Sequence, residues 1–501
     1  MSTPSLKARF KFSLVSNACR GIMTFLTGLL IARGLGPEKY GDFVFLLGSF
    51  MALRQLLDLG SSRAFFTFMS QKIRDKLFVG SFVVWQLVQF FLPLLAISFI
   101  FPGKWIDGIW MGQEKNIVVL AFIAVFMRQN AWQMMIHIGE SYRLTYRVQL
   151  MNLAIAVLHF ILVVSLWQIN WLSIKILFGL IILEYLISIG VGYRVLFVGK
   201  LESKEFDGKK VLNDYKLYCG PLIIYSLIGF SYEFADRWLL QKFGGSLEQG
   251  FYGVAYQFAA VGLLATISIL NILWKEISEA LEKEDLERVR TLYFKVSRLL
   301  FMMGAFLSCF LVPWATDIIK LLLGDEFVKS APVLCIMFLY PIHQTLGQIN
   351  GVMLLATGRT KIKALIGGLI MAISIPITYW VLAPSNAWIP GLGLGSIGIA
   401  LKMVLIQILG VNLTIWWIAR YYKWKFDWVY QVFGLVVGLG IGFMAFWLSQ
   451  QVIMDVKSIL IIKMSVAFFV YTSGMALFVW FFPWVAGLTR HELKGEFLKL
   501  I

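Results

Sequence analysis

Apolar runs of about twenty residues, separated by short polar stretches, recur from one end of the chain to the other. A run of that length, wound as an α-helix, crosses the roughly 30 Å of a bilayer's hydrocarbon. The pattern predicts helices over 10–32, 41–60, 78–101, 117–138, 150–168, 173–197, 218–241, 250–273, 297–319, 331–356, 364–384, 393–418, 430–450 and 458–483, about 14 in all. A membrane β-barrel would instead alternate apolar and polar residues over segments of about ten. Two polar connections are longer than the rest. Residues 198–217 carry mixed charge, and 274–298 place both signs at helical spacing, as a helix continuing past the membrane.

Composition agrees. The chain is 59% hydrophobic and 15% charged, with mean hydropathy +0.78, against roughly 45–50% and about 25% in soluble domains. The fold class is an all-α polytopic membrane protein. The net charge of +17 follows the topology. With the N-terminus in the cytoplasm, inside segments hold about 30 Lys and Arg and outside loops about 8. Both termini are therefore expected in the cytoplasm, and the basic excess reads as topology and headgroup contact, with no nucleic-acid partner. The N-terminal apolar stretch runs on to Ile31 without a small-residue cleavage site, so it reads as a retained first helix. The four cysteines lie scattered in apolar runs, without metal spacing.

An internal repeat organises the chain. The turn LGPEKYG at 35–41 has an echo in LLQKFGGSLEQGFYG, aligning Tyr40-Gly41 with Tyr252-Gly253 at an offset of 212. Pro93 and Pro313 differ by 220, and Gly139 and Gly358 by 219. These landmarks fit a six-helix unit duplicated in parallel orientation. The expected domains are an N-lobe over 1–198, a cytoplasmic linker over 199–217 and a C-lobe over 218–418. Two extra helices and a cytoplasmic tail follow over 419–501.

Leu35-Gly36-Pro37 with Tyr40-Gly41, the later Asp58-Leu59-Gly60, the 6+6+2 helix plan and the Gly-rich segment Gly391 to Ala400 resemble the O-antigen and polysaccharide flippases. These belong to the multidrug/oligosaccharidyl-lipid/polysaccharide exporter superfamily. The resemblance implies a V-shaped, two-lobed bundle in the bacterial cytoplasmic (inner) membrane. It also implies a transporter that moves an undecaprenyl-diphosphate-linked oligosaccharide between leaflets by alternating access, alongside membrane lipids and other polysaccharide-assembly proteins. Gly393 to Gly398 formally matches a dinucleotide fingerprint, but no strand precedes it, so close helix packing is the better reading.

Ionised groups in mid-membrane cost about 2.5–3.5 kcal/mol each on insertion scales and need a partner or a hydrated cavity. Lys175 has a ready explanation in snorkelling to the headgroups. Glu233 with Arg237, and Arg54 with Asp58, are spaced as i,i+4 ion pairs. Arg20, Arg128 and Lys402 have no acidic neighbour within one turn. A cationic cavity formed by Arg20, Arg54, Arg128, Arg237 and Lys402 would match a diphosphate, because guanidinium groups pair with its oxygens. Sugars would meet Trp132, Gln133, Tyr225 and Gln348. Asp58, Glu184 and Asp236, together with His137, are the candidates for H+ or Na+ coupling or for ion pairs. No cofactor is expected, and no GxxxxGK[ST] loop for ATP is present.

Two other functions compete. An ion-coupled multidrug or metabolite exporter would share the fold, but would favour unpaired carboxylates if its cargo were cationic. A membrane polysaccharide polymerase or ligase would need a catalytic constellation, and the outer loops are short and poor in His and paired carboxylates. A transporter rather than an enzyme is expected.

Overall fold

The computed structural model describes residues 6–71, 76–197, 207–261, 267–452 and 460–492. Residues 198–206 of the expected linker, 262–266 of the eighth predicted helix and Lys457 lie outside the described residues. No strand occurs among the described residues, and eleven of their helical runs are long and apolar enough to cross a membrane. The protein is an all-α polytopic membrane protein. Its apolar surface fits that solvent: Phe99, Ile461 and Phe469 are each more than two-thirds exposed, a pattern that water would penalise.

The chain divides into two compact units, Met1–Gly250 with Ile375–Gly395, and Phe251–Ser374 with Ser396–Ile501. The first contains α1 (Leu6–Asp58), α2 (Ser61–Gln71), α3 (Lys76–Leu95), α4 (Gly103–Trp110), α5 (Lys115–Phe126), α6 (Trp132–Ser141), α7 (Thr145–Gln168), α8 (Ile174–Phe197) and most of α9 (Gly208–Val261). The second contains α10 (Ile267–Glu282), α11 (Leu286–Leu311), α12 (Ala315–Leu323), α13 (Ala331–Met337), α14 (Tyr340–Ala356), most of α15 (Thr360–Leu382) and α16 (Gly395–Tyr421), α17 (Val429–Val452) and α18 (Leu460–Phe481).

The first two predicted helices are joined more tightly than the LGPEKYG turn suggests. Helix runs through the whole of that segment and is broken at Gly36 alone, at φ 73 and ψ 167. Only glycine adopts that backbone without serious strain. Pro37 then opens the second leg, where its missing N–H costs nothing. The same device recurs in α9 at Gly245, at φ 74 and ψ −176.

The two kinked helices meet reciprocally. A Cβ on Gly41 would lie 1.7 Å from the Ser246 carbonyl oxygen, and one on Gly250 would lie 2.1 Å from that of Pro37. Gly36 with Gly245, Pro37 with Ser246 and Gly41 with Gly250 keep one common spacing, so each leg presents its glycine to the first residue of the other. The structural register of the echo therefore pairs Gly41 with Gly250, not with Gly253.

Prolines locate the other breaks. Pro313 sits in a 3-10 turn, Val312–Trp314, between α11 and α12. Pro341, in the first turn of α14, cannot donate to the preceding turn and splits the predicted helix 331–356 in two. Pro93 and Pro376 are carried inside α3 and α15.

The core of the first unit stacks Phe65 on Phe82 at 4.1 Å and encloses Trp132 and Ile138. That of the second encloses Phe301 and Trp314, with Trp314 edge-on to Phe446 at 4.8 Å. It also holds satisfied polar groups. The Tyr293 hydroxyl donates to Asn350 Oδ1 at 2.7 Å, and Asn350 Nδ2 donates to the Val411 carbonyl at 3.2 Å.

Candidate functional site

In the first unit α5 and α6 form one run interrupted by a π-helical turn, Met127–Ala131. Such a turn inserts one residue into the helical frame and recurs at functional sites. Arg128 lies in it, half-buried, with no hydrogen bond or ion pair among the described residues. Asn130 in the same turn is buried and donates to Gln89 Oε1 at 3.0 Å, anchoring the turn to α3.

Arg20 is within electrostatic range of Arg128, Glu140 and Tyr185, while its Nη2 donates to Asn17 Oδ1 at 3.0 Å. Arg54 forms a small cleft with Leu57, Phe126 and Asn130, and its buried Nε has no hydrogen-bond partner. His137 is within range of both Arg54 and Asp58 and packs on Phe66 at 4.9 Å. Arg20 thus neighbours Arg128, and Arg54 meets the π turn through Asn130, with no carboxylate hydrogen-bonded to any of the three among the described residues. Arg237 lies against Gly48, where a Cβ would come within 2.7 Å of its Nε, and also near Glu233.

The acidic candidates are occupied. Asp58 does not close the i,i+4 pair with Arg54. Its Oδ1 accepts from the Ser62 amide at 3.0 Å, the Ser62 hydroxyl at 2.6 Å and the Ser61 hydroxyl at 3.0 Å, and so caps α2. Leu59 and Gly60, both at positive φ, make the turn that places it there. Glu184, 4% exposed, accepts from His159 Nδ1. Asp236, also buried, accepts from the Thr378 hydroxyl at 2.6 Å. Among the described residues no group of three or more His, Cys, Asp or Glu is placed to hold a metal ion.

Other expectations change. Trp132 is a core residue, 4% exposed, and its Nε1 donates to Asn152 Oδ1 at 2.9 Å, so it presents no face to a sugar. Tyr225 is exposed, Gln133 half-buried, and Gln348 belongs to the second unit. Lys402, in the second unit on α16, is buried, at 1% exposed. Lys175 pairs with Glu114 at 2.7 Å, both side chains more than half exposed, as suits a helix end.

Sequence reasoning missed His159, Gln55, Glu140 and the π turn. Gln55 Nε2 donates to Glu233 at 2.6 Å, a partner from another helix for a carboxylate that spacing alone offers to Arg237. The one available signal was that His159 and Glu184 both fall mid-span on successive predicted helices.

A family model described as MatE matches residues 221–380. No curated protein matches the sequence. Among solved structures the chain is similar to the lipid II flippase MurJ in an inward closed conformation, with TM-score 0.68 and 14% identity over 94% of this chain and 99% of that one. The all-α fold is similar to that of this flippase. A multidrug resistance MATE transporter of the MOP superfamily, inward-facing, aligns with TM-score 0.58 and 16% identity over 81% of this chain and 96% of its own. A MOP superfamily transporter from Pyrococcus furiosus, described as having a binding pocket of reverse polarity that suggests a different function, gives TM-score 0.54 and 14% identity over 82% of this chain and 95% of its own. The all-α membrane fold expected from the resemblance is thus shared in outline with these solved structures.

Proposed function

We propose that this protein is a flippase for a diphosphate-linked oligosaccharide lipid of the undecaprenyl type, in a bacterial cytoplasmic membrane with both termini inside. One observation carries the reading: Arg20, Arg54 and Arg128 lie half-buried in the first unit, and no carboxylate hydrogen-bonds to any of them among the described residues, Glu140 and Asp58 standing only within electrostatic range of Arg20 and Arg54. Burying cationic groups without directly paired counter-ions is costly. An anionic cargo that brings its own negative oxygens offsets that cost, and guanidinium groups meet those oxygens with paired, charge-assisted hydrogen bonds. An exporter of cations would be disfavoured by the same charges. The expected repeats, 1–198 and 218–418, would supply alternating access.

The test is leaflet translocation of a labelled diphosphate-linked glycan in vesicles containing the purified protein. Arg128→Ala should slow it about tenfold or more, the equivalent of one lost charge-assisted contact, with membrane insertion intact. Wild-type rates in that variant, or transport of a cationic drug with no movement of the glycan, would overturn the reading.

A further inference from the structure

A cavity larger than the cleft at Arg54 belongs to the second unit and lies far along the chain from the arginines above. It has a volume of about 640 Å³ and is walled by the start of α11, the connection before α17 and the segment that follows α18. The Lys/Arg bias assigns this end of those helices to the cytoplasm.

Two ion pairs build the walls. Arg298 binds Asp427 and donates through Nη1 to the Trp484 carbonyl at 2.9 Å, tying the connection and the post-α18 turn to α11. Lys295 Nζ donates to Glu492 at 2.5 Å, tying down the tail. Thr489 and Glu492 cap each other, with the Thr489 amide donating to Glu492 Oε2 at 2.9 Å and the Glu492 amide to Thr489 Oγ1 at 3.3 Å. These four charges are spent on structure.

Two cations in the cavity remain available. Lys425 has no hydrogen bond or ion pair among the described residues. Among the described residues Arg290 meets only Glu287, one helical turn away at 3.2 Å, and that carboxylate is 76% exposed. Such a pair is solvent-screened and contributes little. Thr291 also contributes to the lining, and Phe294 and Phe426 supply apolar wall. Trp428 and Val429, immediately beyond, are about half exposed and begin an apolar span, which sets the cavity at the level of lipid headgroups.

We propose that this cavity binds a phosphate group, with Arg290 and Lys425 as its ligands. Basic pockets at the cytoplasmic ends of membrane helices are where acidic headgroups dock. A phosphate fits these two cations better than a carboxylate does, because it offers three oxygens to a guanidinium fork and an ammonium at once. The phosphate comes either from an acidic phospholipid or from a soluble phosphate compound that reaches the open side.

The full-length protein in detergent is titrated with phosphatidylglycerol, with phosphatidylcholine and, separately, with inorganic phosphate, and bound molecules are counted by native mass spectrometry. Phosphatidylglycerol retained over phosphatidylcholine, and lost about tenfold in Arg290→Ala/Lys425→Ala, supports a lipid headgroup. Phosphate binding lost in the same variant, without lipid preference, supports the soluble source. Arg290→Lys/Lys425→Arg should retain binding in either case, which separates loss of the ligands from loss of fold. Equal occupancy of both lipids with no phosphate bound, or unchanged binding in the double alanine variant, overturns the proposal.

Discussion

His159 Nδ1 lies 2.8 Å from one Glu184 oxygen and 3.1 Å from the other, joining α7 to α8 near the middle of both helices. With Glu184 only 4% exposed, the pair exists because neither group alone is tolerable there. Removing the imidazole leaves a buried carboxylate. His159→Leu should destabilise the solubilised protein by about 3 kcal/mol, the low end for a broken buried pair because the histidine is partly exposed. His159→Leu/Glu184→Leu should recover most of that loss. Thermal unfolding of both variants checks it, and equal losses would show that the pair contributes through packing alone.

The crossing of α1 and α9 leaves no room for a methyl group. Gly41→Ala and Gly250→Ala should each cost more than about 3 kcal/mol, because backbone oxygens cannot move aside as side chains do. Gly80 in α3 has nothing within 4 Å of its Cβ position, so Gly80→Ala should be neutral or stabilising by up to about 1 kcal/mol. Recovery of monodisperse protein after heating would rank the three.

Asp58 is assigned as a helix cap. Asp58→Asn keeps an oxygen facing the Ser62 amide and should preserve both stability and transport, whereas Asp58→Ala should cost about 1 kcal/mol. A transport defect in the asparagine variant with unchanged unfolding temperature would instead make the charge itself functional.

The tail carries a pH-dependent contact. The Lys295 ammonium, with help from Thr489, holds the Glu492 carboxyl down from its ordinary 4.5 to about 2. A depressed acid stabilises the docked form above its ordinary value, so the contribution is complete above about pH 4.5 and is lost as pH falls towards 2. Hydrogen exchange around 489–492, corrected for its intrinsic pH dependence, should accelerate over that range in the wild type. In Glu492→Gln it should already be fast at neutral pH.

Helix positions were legible because a span's length and apolarity are local properties, and each predicted helix has a helical counterpart among the described residues. The echo of the LGPEKYG break was legible too, though not its register. The Tyr-Gly dipeptide drew the alignment to Gly253, while the backbone demand falls on Gly245 and the close approach on Gly250. Side-chain partnerships were the least legible. Spacing offered Arg54 to Asp58, but a nearby amide and two hydroxyls captured the carboxylate first. The partners of Glu184 and Glu233 come from other helices, and a pattern along one helix does not contain them.

The π turn at Met127–Ala131 acts as a phase shift. Each residue advances a helix by about 100°, so deleting one residue there would turn the run into ordinary helix. His137 and Glu140 would then rotate about a third of a revolution away from Arg54 and Arg20, although no side chain in the cluster had been altered. The cluster depends on the count of residues in one turn as much as on the identity of its members.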